Sequence, residues 1–256
     1  MPDYSLIDVP SLLRYLFYPR KDFTASPKNA FDLKIQVDQD VFVCCRFYAG
    51  DKNWPWILYF HGNGEVVSDY NEIAPLYYQY GLNLVVTDYR GYGASGGTPT
   101  FPDLIKDAHS IFKAIKEELI SKGLQQNFLV MGRSLGSIPA LELAYHYQDK
   151  IRGMIIESGF ACVTRLISRS KRASQGTKLI QLEQECLEMV NKIYVPSLII
   201  HGQQDSLVPL VEGELLYNQL GTSQKQLVVI PDADHNNIMF VGFNLYFDTI
   251  QRFIYG

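Results

Sequence analysis

The stretch Met131-Gly132-Arg133-Ser134-Leu135-Gly136-Ser137 decides the fold. An apolar, β-forming run, Asn127 to Met131, leads into it, and a helix-forming run, Ile138 to Tyr147, leads out. Gly-x-Ser-x-Gly between a strand and a helix is the pattern of a nucleophile elbow. Side chains at positions 132 and 136 would crowd neighbouring backbone in so tight a turn, so glycine suits both places. The turn lifts the Ser134 hydroxyl to the N-terminus of the following helix, where unpaired N–H groups favour developing negative charge.

Outward from this stretch, strands and helices alternate. Leu33 to Val37 and Val41 to Tyr48 read as a hairpin around Asp38-Gln39-Asp40. Further strands are expected at Trp56 to Phe60, Asn83 to Thr87, Gly153 to Glu157, Ser197 to His201 and Gln226 to Ile230. Helices are expected from about Asp69 to Tyr80, Phe101 to Ile120 and Leu210 to Leu220, with a closing one ending near Ile254. Such alternation implies an α/β fold with a mostly parallel sheet covered by helices on both faces and entered through an antiparallel hairpin. With neither an internal repeat nor a low-complexity linker, one domain over residues 1–256 is expected. A short helix, Ser11 to Tyr18, packs at its edge or meets a membrane surface; the few bases Arg14, Arg20 and Lys21 favour the former.

Composition narrows the function. A net charge of −4 argues against a nucleic-acid partner, and no apolar run is long enough for a membrane span. The four cysteines, Cys44, Cys45, Cys162 and Cys186, lack disulfide-framework spacing, which points to reduced thiols and a cytoplasmic location. Gly91-x-Gly93-x-x-Gly96 matches a dinucleotide fingerprint in letters, but Thr98, Pro99, Thr100 and Pro102 stand where its helix would begin. There is no phosphate loop and no paired His/Cys spacing for a metal, so neither a cofactor nor a metal is expected.

Ligands of parallel sheets bind beyond the carboxyl ends of the strands, so reactive residues just after strands converge. Ser134, Asp205 and His235 hold such positions. Glu157, which also ends a strand, is the alternative acid. His61, His201, His109 and His146 take structural roles by default. An oxyanion hole needs two donors: the backbone N–H of Leu135 follows the nucleophile, and that of Asn63 lies in the loop His61-Gly62-Asn63-Gly64.

These residues carry a resemblance. The loop at His61, the segment Asp88-Tyr89-Arg90-Gly91-Tyr92-Gly93-Ala94-Ser95, the elbow, His201-Gly202-x-x-Asp205 and Asp234-His235-Asn236 resemble α/β-hydrolase-fold serine hydrolases. More narrowly, the chain is similar to the group containing eukaryotic α/β-hydrolase-domain depalmitoylases and related bacterial esterases. The resemblance spans about Trp56 to the C-terminus and implies a Ser-His-Asp triad acting on a small-molecule ester or thioester. Two departures stand out: Met1 to Lys21 holds no cysteine, whereas these depalmitoylases carry a lipidated N-terminal cysteine cluster, and Gly64-Glu65 stands where many relatives differ.

Such folds commonly insert a cap after the strand ending at Glu157. Residues 158–196 are that insertion, short and helical. From Phe160 to Gln181 it carries Arg165, Arg169, Lys171, Arg172 and Lys178 without an acid, then Glu183, Glu185 and Glu188. The basic half either pairs with the acidic half as a solvated face or draws in an anionic acyl donor, with Arg165, Arg169 and Arg172 as substrate-binding residues.

Overall fold

The computed structural model describes residues 2–124, 126–169 and 176–256, and of residue 169 only the backbone. Strands β1 (Ala30–Asp38) and β2 (Val41–Tyr48) form the expected hairpin, and β2 also runs antiparallel to β4 (Asn83–Thr87). Beyond them β3 (Trp56–Phe60), β5 (Phe128–Arg133), β6 (Gly153–Glu157), β7 (Ser197–Gly202) and β8 (Lys225–Ile230) are parallel to β4 and to one another. The order across the sheet is β1-β2-β4-β3-β5-β6-β7-β8. This α/β architecture sets the carboxyl ends of the parallel strands along one edge.

Helices fill both faces: α1 (Pro10–Leu16), α2 (Ala74–Tyr78), α3 (Phe101–Ser121), α4 (Ser137–His146), α5 (Thr164–Arg169), α6 (Thr177–Asn191), α7 (Leu210–Gln219), α8 (Ile238–Val241) and α9 (Phe243–Tyr255). The two-residue period of a strand divides the core. In β3, Trp56, Leu58 and Phe60 join Leu104 and Ile111 of α3, Leu141 of α4 and Leu182 of α6 on one face. Ile57 and Tyr59 join Tyr77 of α2 and Tyr246, Phe247 and Ile250 of α9 on the other. Burying each large apolar side chain contributes about 1.5–3 kcal/mol, which is why the central strands are apolar on both faces.

Local chemistry sets the element ends. Thr100 caps α3 by accepting from the Asp103 N–H at 3.1 Å. Pro10, read from sequence as an interruption, starts α1 at its first position, where a missing N–H costs nothing. The single helix expected from Asp69 to Tyr80 is instead a 3₁₀ turn, Val67–Asn71, followed by α2. Pro75 in the first turn of α2 cannot donate back to Asn71, so the helix cannot run through.

The N-terminal segment is part of the main core: Tyr4, Ile7 and Phe17 are buried, and Phe17 and Tyr4 pack on Phe101. All four cysteines are buried and unbridged. Among the described residues no helix is long and apolar enough to cross a membrane. The segment of residues 158–196, expected to be a cap, contains α5 and α6, and α6 buries Leu179, Leu182, Cys186, Met189 and Val190.

Candidate active site

The elbow is built as the sequence requires. β5 ends at Arg133, Ser134–Gly136 forms a 3₁₀ turn, and α4 follows. Ser134 has φ 52°, in the left-handed region that costs a non-glycine residue about 1–3 kcal/mol. The neighbouring backbone leaves no choice of residue around it. A Cβ on Gly132 would lie 2.2 Å from the Gly136 carbonyl oxygen, and one on Gly136 would lie 2.0 Å from the Phe60 carbonyl oxygen at the end of β3. The turn is thus wedged against the strand whose loop carries Asn63.

Asp205 and His235 meet directly. Asp205 follows β7, and its Oδ1 accepts the N–H groups of Leu207 at 3.0 Å and Val208 at 2.8 Å. Its Oδ2 lies 2.7 Å from His235 Nδ1. Burial disfavours the Asp205 carboxylate, but the hydrogen bond and charge of His235 and the Val208 N–H outweigh it, holding the carboxyl below its ordinary range. His235 sits between β8 and α8. Asp234 shapes this turn by accepting the Asn236 and Asn237 N–H groups at 2.8 and 3.0 Å, and the Gln204 N–H reaches the Ala233 carbonyl at 2.8 Å. With Nδ1–H assigned toward Asp205, Nε2 is the imidazole nitrogen left to accept a proton. Among the described residues no hydrogen bond joins Ser134 to His235; such bonds often tighten only around substrate.

A family model described as Hydrolase_4: serine aminopeptidase, S33, matches residues 53–165 and 161–239. The chain belongs to this hydrolase family. It is 27% identical over 206 residues to the bem46 protein of Schizosaccharomyces pombe, covering 78% of this chain and 67% of that one. It is also 27% identical over 220 residues to the human alpha/beta hydrolase domain-containing protein 17B, covering 83% of this chain and 70% of that one. In three dimensions it is similar to the Pyrococcus furiosus esterase Pf2001, with a TM-score of 0.75 at 20% identity over 93% of this chain and 97% of the other, a likeness of fold. The α/β-hydrolase fold implied by the sequence motifs is therefore the fold of the chain.

In this hydrolase the motif residue before the serine has a part that the sequence reading missed. Arg133 Nε donates to Glu157 Oε1 at 3.1 Å, Nη1 to Glu65 Oε1, and Nη2 to the His235 carbonyl at 2.7 Å and Asn236 Oδ1 at 3.3 Å. One guanidinium therefore ties the nucleophile strand, the loop after β3, the end of β6 and the histidine turn together. Glu157, the alternative acid, makes no hydrogen bond to His235, which is bonded to Asp205 instead. It accepts from Arg133 and, through Oε2, from Tyr246 at 2.6 Å and Tyr59 at 3.4 Å. Burial pushes the Glu157 carboxyl up despite Arg133. Glu65 is also disfavoured by burial, but Arg133 and the Gly62 N–H hold it below the ordinary range. The available signal was register: Arg133 and Glu157 are partners across β5 and β6, two opposite charges ending adjacent strands.

Asn63 lies in the loop after β3, and Leu135 directly follows Ser134 in the 3₁₀ turn. The Asn63 side chain has a further job. Its Oδ1 accepts the Tyr18 N–H at 2.9 Å and the Tyr92 hydroxyl at 2.6 Å, and its Nδ2 donates to the Leu16 carbonyl at 2.8 Å. The Asp88 to Ser95 segment braces this loop: Tyr89 donates to the His61 carbonyl at 2.5 Å, while Arg90 forks onto Asp107 of α3 at 2.7 and 2.8 Å. Arg165 is committed to Glu212 at 2.6 Å and Glu183 at 3.2 Å, so the basic and acidic halves of residues 158–196 do pair there. The Arg169 side chain and Arg172 lie outside the described residues.

Two outcomes follow from these contacts. Arg133→Met strands Glu157 in the core, and removing one partner of a buried pair costs about 3–5 kcal/mol; urea unfolding should show a loss of that order, partly recovered in the Arg133→Met/Glu157→Gln double variant. Because the folded Asp205 carboxyl titrates below its ordinary range, its contribution is full above about pH 4 and is lost as pH falls through the depressed value. Below about pH 4, unfolding free energy should therefore fall more steeply with decreasing pH in the wild type than in Asp205→Asn.

Proposed function

We propose that this chain is a serine hydrolase of small carboxylic esters or thioesters, working through a covalent acyl-enzyme on Ser134. The observation that carries the reading is the 2.7 Å contact between buried Asp205 and His235 on turns along the same strand edge as the strained Ser134 elbow. His235 Nε2 takes the Ser134 proton as Oγ attacks the acyl carbon, and the carbonyl π electrons move to oxygen. The backbone N–H groups of Asn63 and Leu135 receive that oxyanion; each such donor is worth about 10²–10³ in rate. The oxyanion collapses, the bond to the leaving oxygen or sulfur breaks, and His235 returns the proton to it. Water, deprotonated by the same nitrogen, then attacks the acyl-enzyme and releases the acid. Asp205 keeps the imidazole in the required tautomer and stabilises its protonated form, a role whose loss costs about 10⁴ in turnover.

An aminopeptidase reading would need a pocket of unbalanced negative charge for the substrate amine. A cavity of about 260 Å³ beside the elbow is lined by Glu65, Asp69 and Glu157. Each of its acids is already ion-paired, Glu65 and Glu157 with Arg133 and Asp69 with Arg20, so a substrate ammonium would have to displace an arginine. Ester or thioester cleavage is therefore favoured over amide cleavage, and a non-catalytic scaffold would have no need of a hydrogen-bonded Asp-His pair. The buried, unbridged cysteines support a cytoplasmic setting.

A fluorophosphonate probe should label the folded protein at Ser134 and leave Ser134→Ala unlabelled. p-Nitrophenyl esters of graded chain length and acyl-coenzyme A should be turned over faster than aminoacyl nitroanilides. An unlabelled folded protein sinks the enzyme reading, and faster anilide cleavage sinks the ester reading.

A further inference from the structure

Helices α3 and α4 bring together three metal-ligating side chains remote from the candidate active site. Glu142 and His146 stand one turn apart on the same face of α4, and His109 reaches them from α3. His109 Nε2 lies 3.1 Å, and His146 Nε2 2.9 Å, from the same oxygen, Glu142 Oε1. One ligand atom from each of the three residues lies within 4.8 Å of the others. The Glu142 side chain is only 1% exposed, and its second oxygen, Oε2, has no hydrogen-bond partner.

A carboxylate buried this deeply requires a cation or a full set of donors. Two neutral imidazoles can donate at most to Oε1, the oxygen on which they converge, which supplies no cation and leaves Oε2 without a donor. On the far side of its ring, His109 Nδ1 lies 3.0 Å from the Tyr147 hydroxyl. A proton held there leaves Nε2 as a lone-pair donor, the arrangement by which ligating histidines are oriented. We propose that His109, Glu142 and His146 form a zinc-binding site. Two imidazoles and a carboxylate suit Zn²⁺ better than Mg²⁺ or Ca²⁺, which favour sets made of oxygen. Tetrahedral bonds of about 2.0–2.1 Å separate ligand atoms by roughly 3.3 Å, so the two nitrogen–oxygen distances need only slight expansion, and the three atoms already lie within 4.8 Å. The histidine side chains are 25% and 34% exposed, which leaves an entry path and room for a water as fourth ligand.

The site lies on the second half of α4, about 7–14 Å of helix from the helix start at the elbow. Its role is therefore structural: the ion cross-links α3 to the helix that carries the elbow. No pairwise spacing reveals it, because His109 comes from another helix 33 residues before Glu142.

The test is titration of the chelator-treated, dialysed full chain with Zn²⁺ alone, in competition with a chromophoric chelator. One equivalent should bind with a Kd in the micromolar range or below, and saturating Zn²⁺ should raise Tm. Bound Co²⁺ should show the visible absorption of a four-coordinate ion. His146→Ala, on the exposed rim, and Glu142→Gln should each weaken binding at least tenfold while far-UV circular dichroism shows the fold retained. The proposal is overturned if the folded wild type binds no Zn²⁺ below millimolar concentrations. It is equally overturned if His146→Ala, which keeps the buried carboxylate, binds as tightly as the wild type.

Discussion

A serine at φ 52° is the constraint on which the strand edge is arranged. Left-handed backbone at a residue with a side chain persists only where its surroundings give it no cheaper conformation. Here they are backbone atoms: the carbonyls of Gly136 and Phe60 close on the positions where side chains at 132 and 136 would begin. β3, β5 and α4 therefore approach one another more closely than ordinary side chains allow. The same closeness fixes the loop of Asn63 relative to Ser134.

Electrostatics fix what backbone packing does not. The histidine turn leaves the sheet from β8, three strands away from β5. Two polar contacts span that distance. Asp205 reaches the imidazole from β7, and Arg133 reaches the backbone of the same residue from β5. The arginine can be buried there because Glu65 and Glu157 neutralise it, and those acids can be buried because of the arginine. Pairing with Arg133 also occupies the carboxylates that a cationic substrate would otherwise meet.

The elements that could be read from sequence are those whose signal is local. β2, β3, β4 and β6 have the bounds that their β-branched and aromatic runs suggest, and the elbow follows from five consecutive residues. The helix after β3 was misread because Pro75, one residue, outweighs the apolar spacing around it. Asp205 and His235 were legible as residues after strands, whereas the assignment of Glu157 depended on which neighbour its carboxylate faces. Arg133 was hidden by its own motif, in which attention falls on the glycines and the serine. The roles of His109, Glu142 and Tyr92 arise only when separate helices and loops are brought side by side, which no periodicity encodes.

The N-terminal segment illustrates a consequence in time. It is synthesised before the residues it contacts: Leu16 and Tyr18 with Asn63, Tyr18 with Tyr92, and Asp3 with Glu185 across 182 residues. Contacts so distant along the chain close slowly, after the loops between them have formed. During synthesis its apolar side chains, Phe17 among them, stay exposed to solvent and chaperones until those later residues emerge. The loop that it secures is consequently among the last parts of the molecule to acquire its final shape.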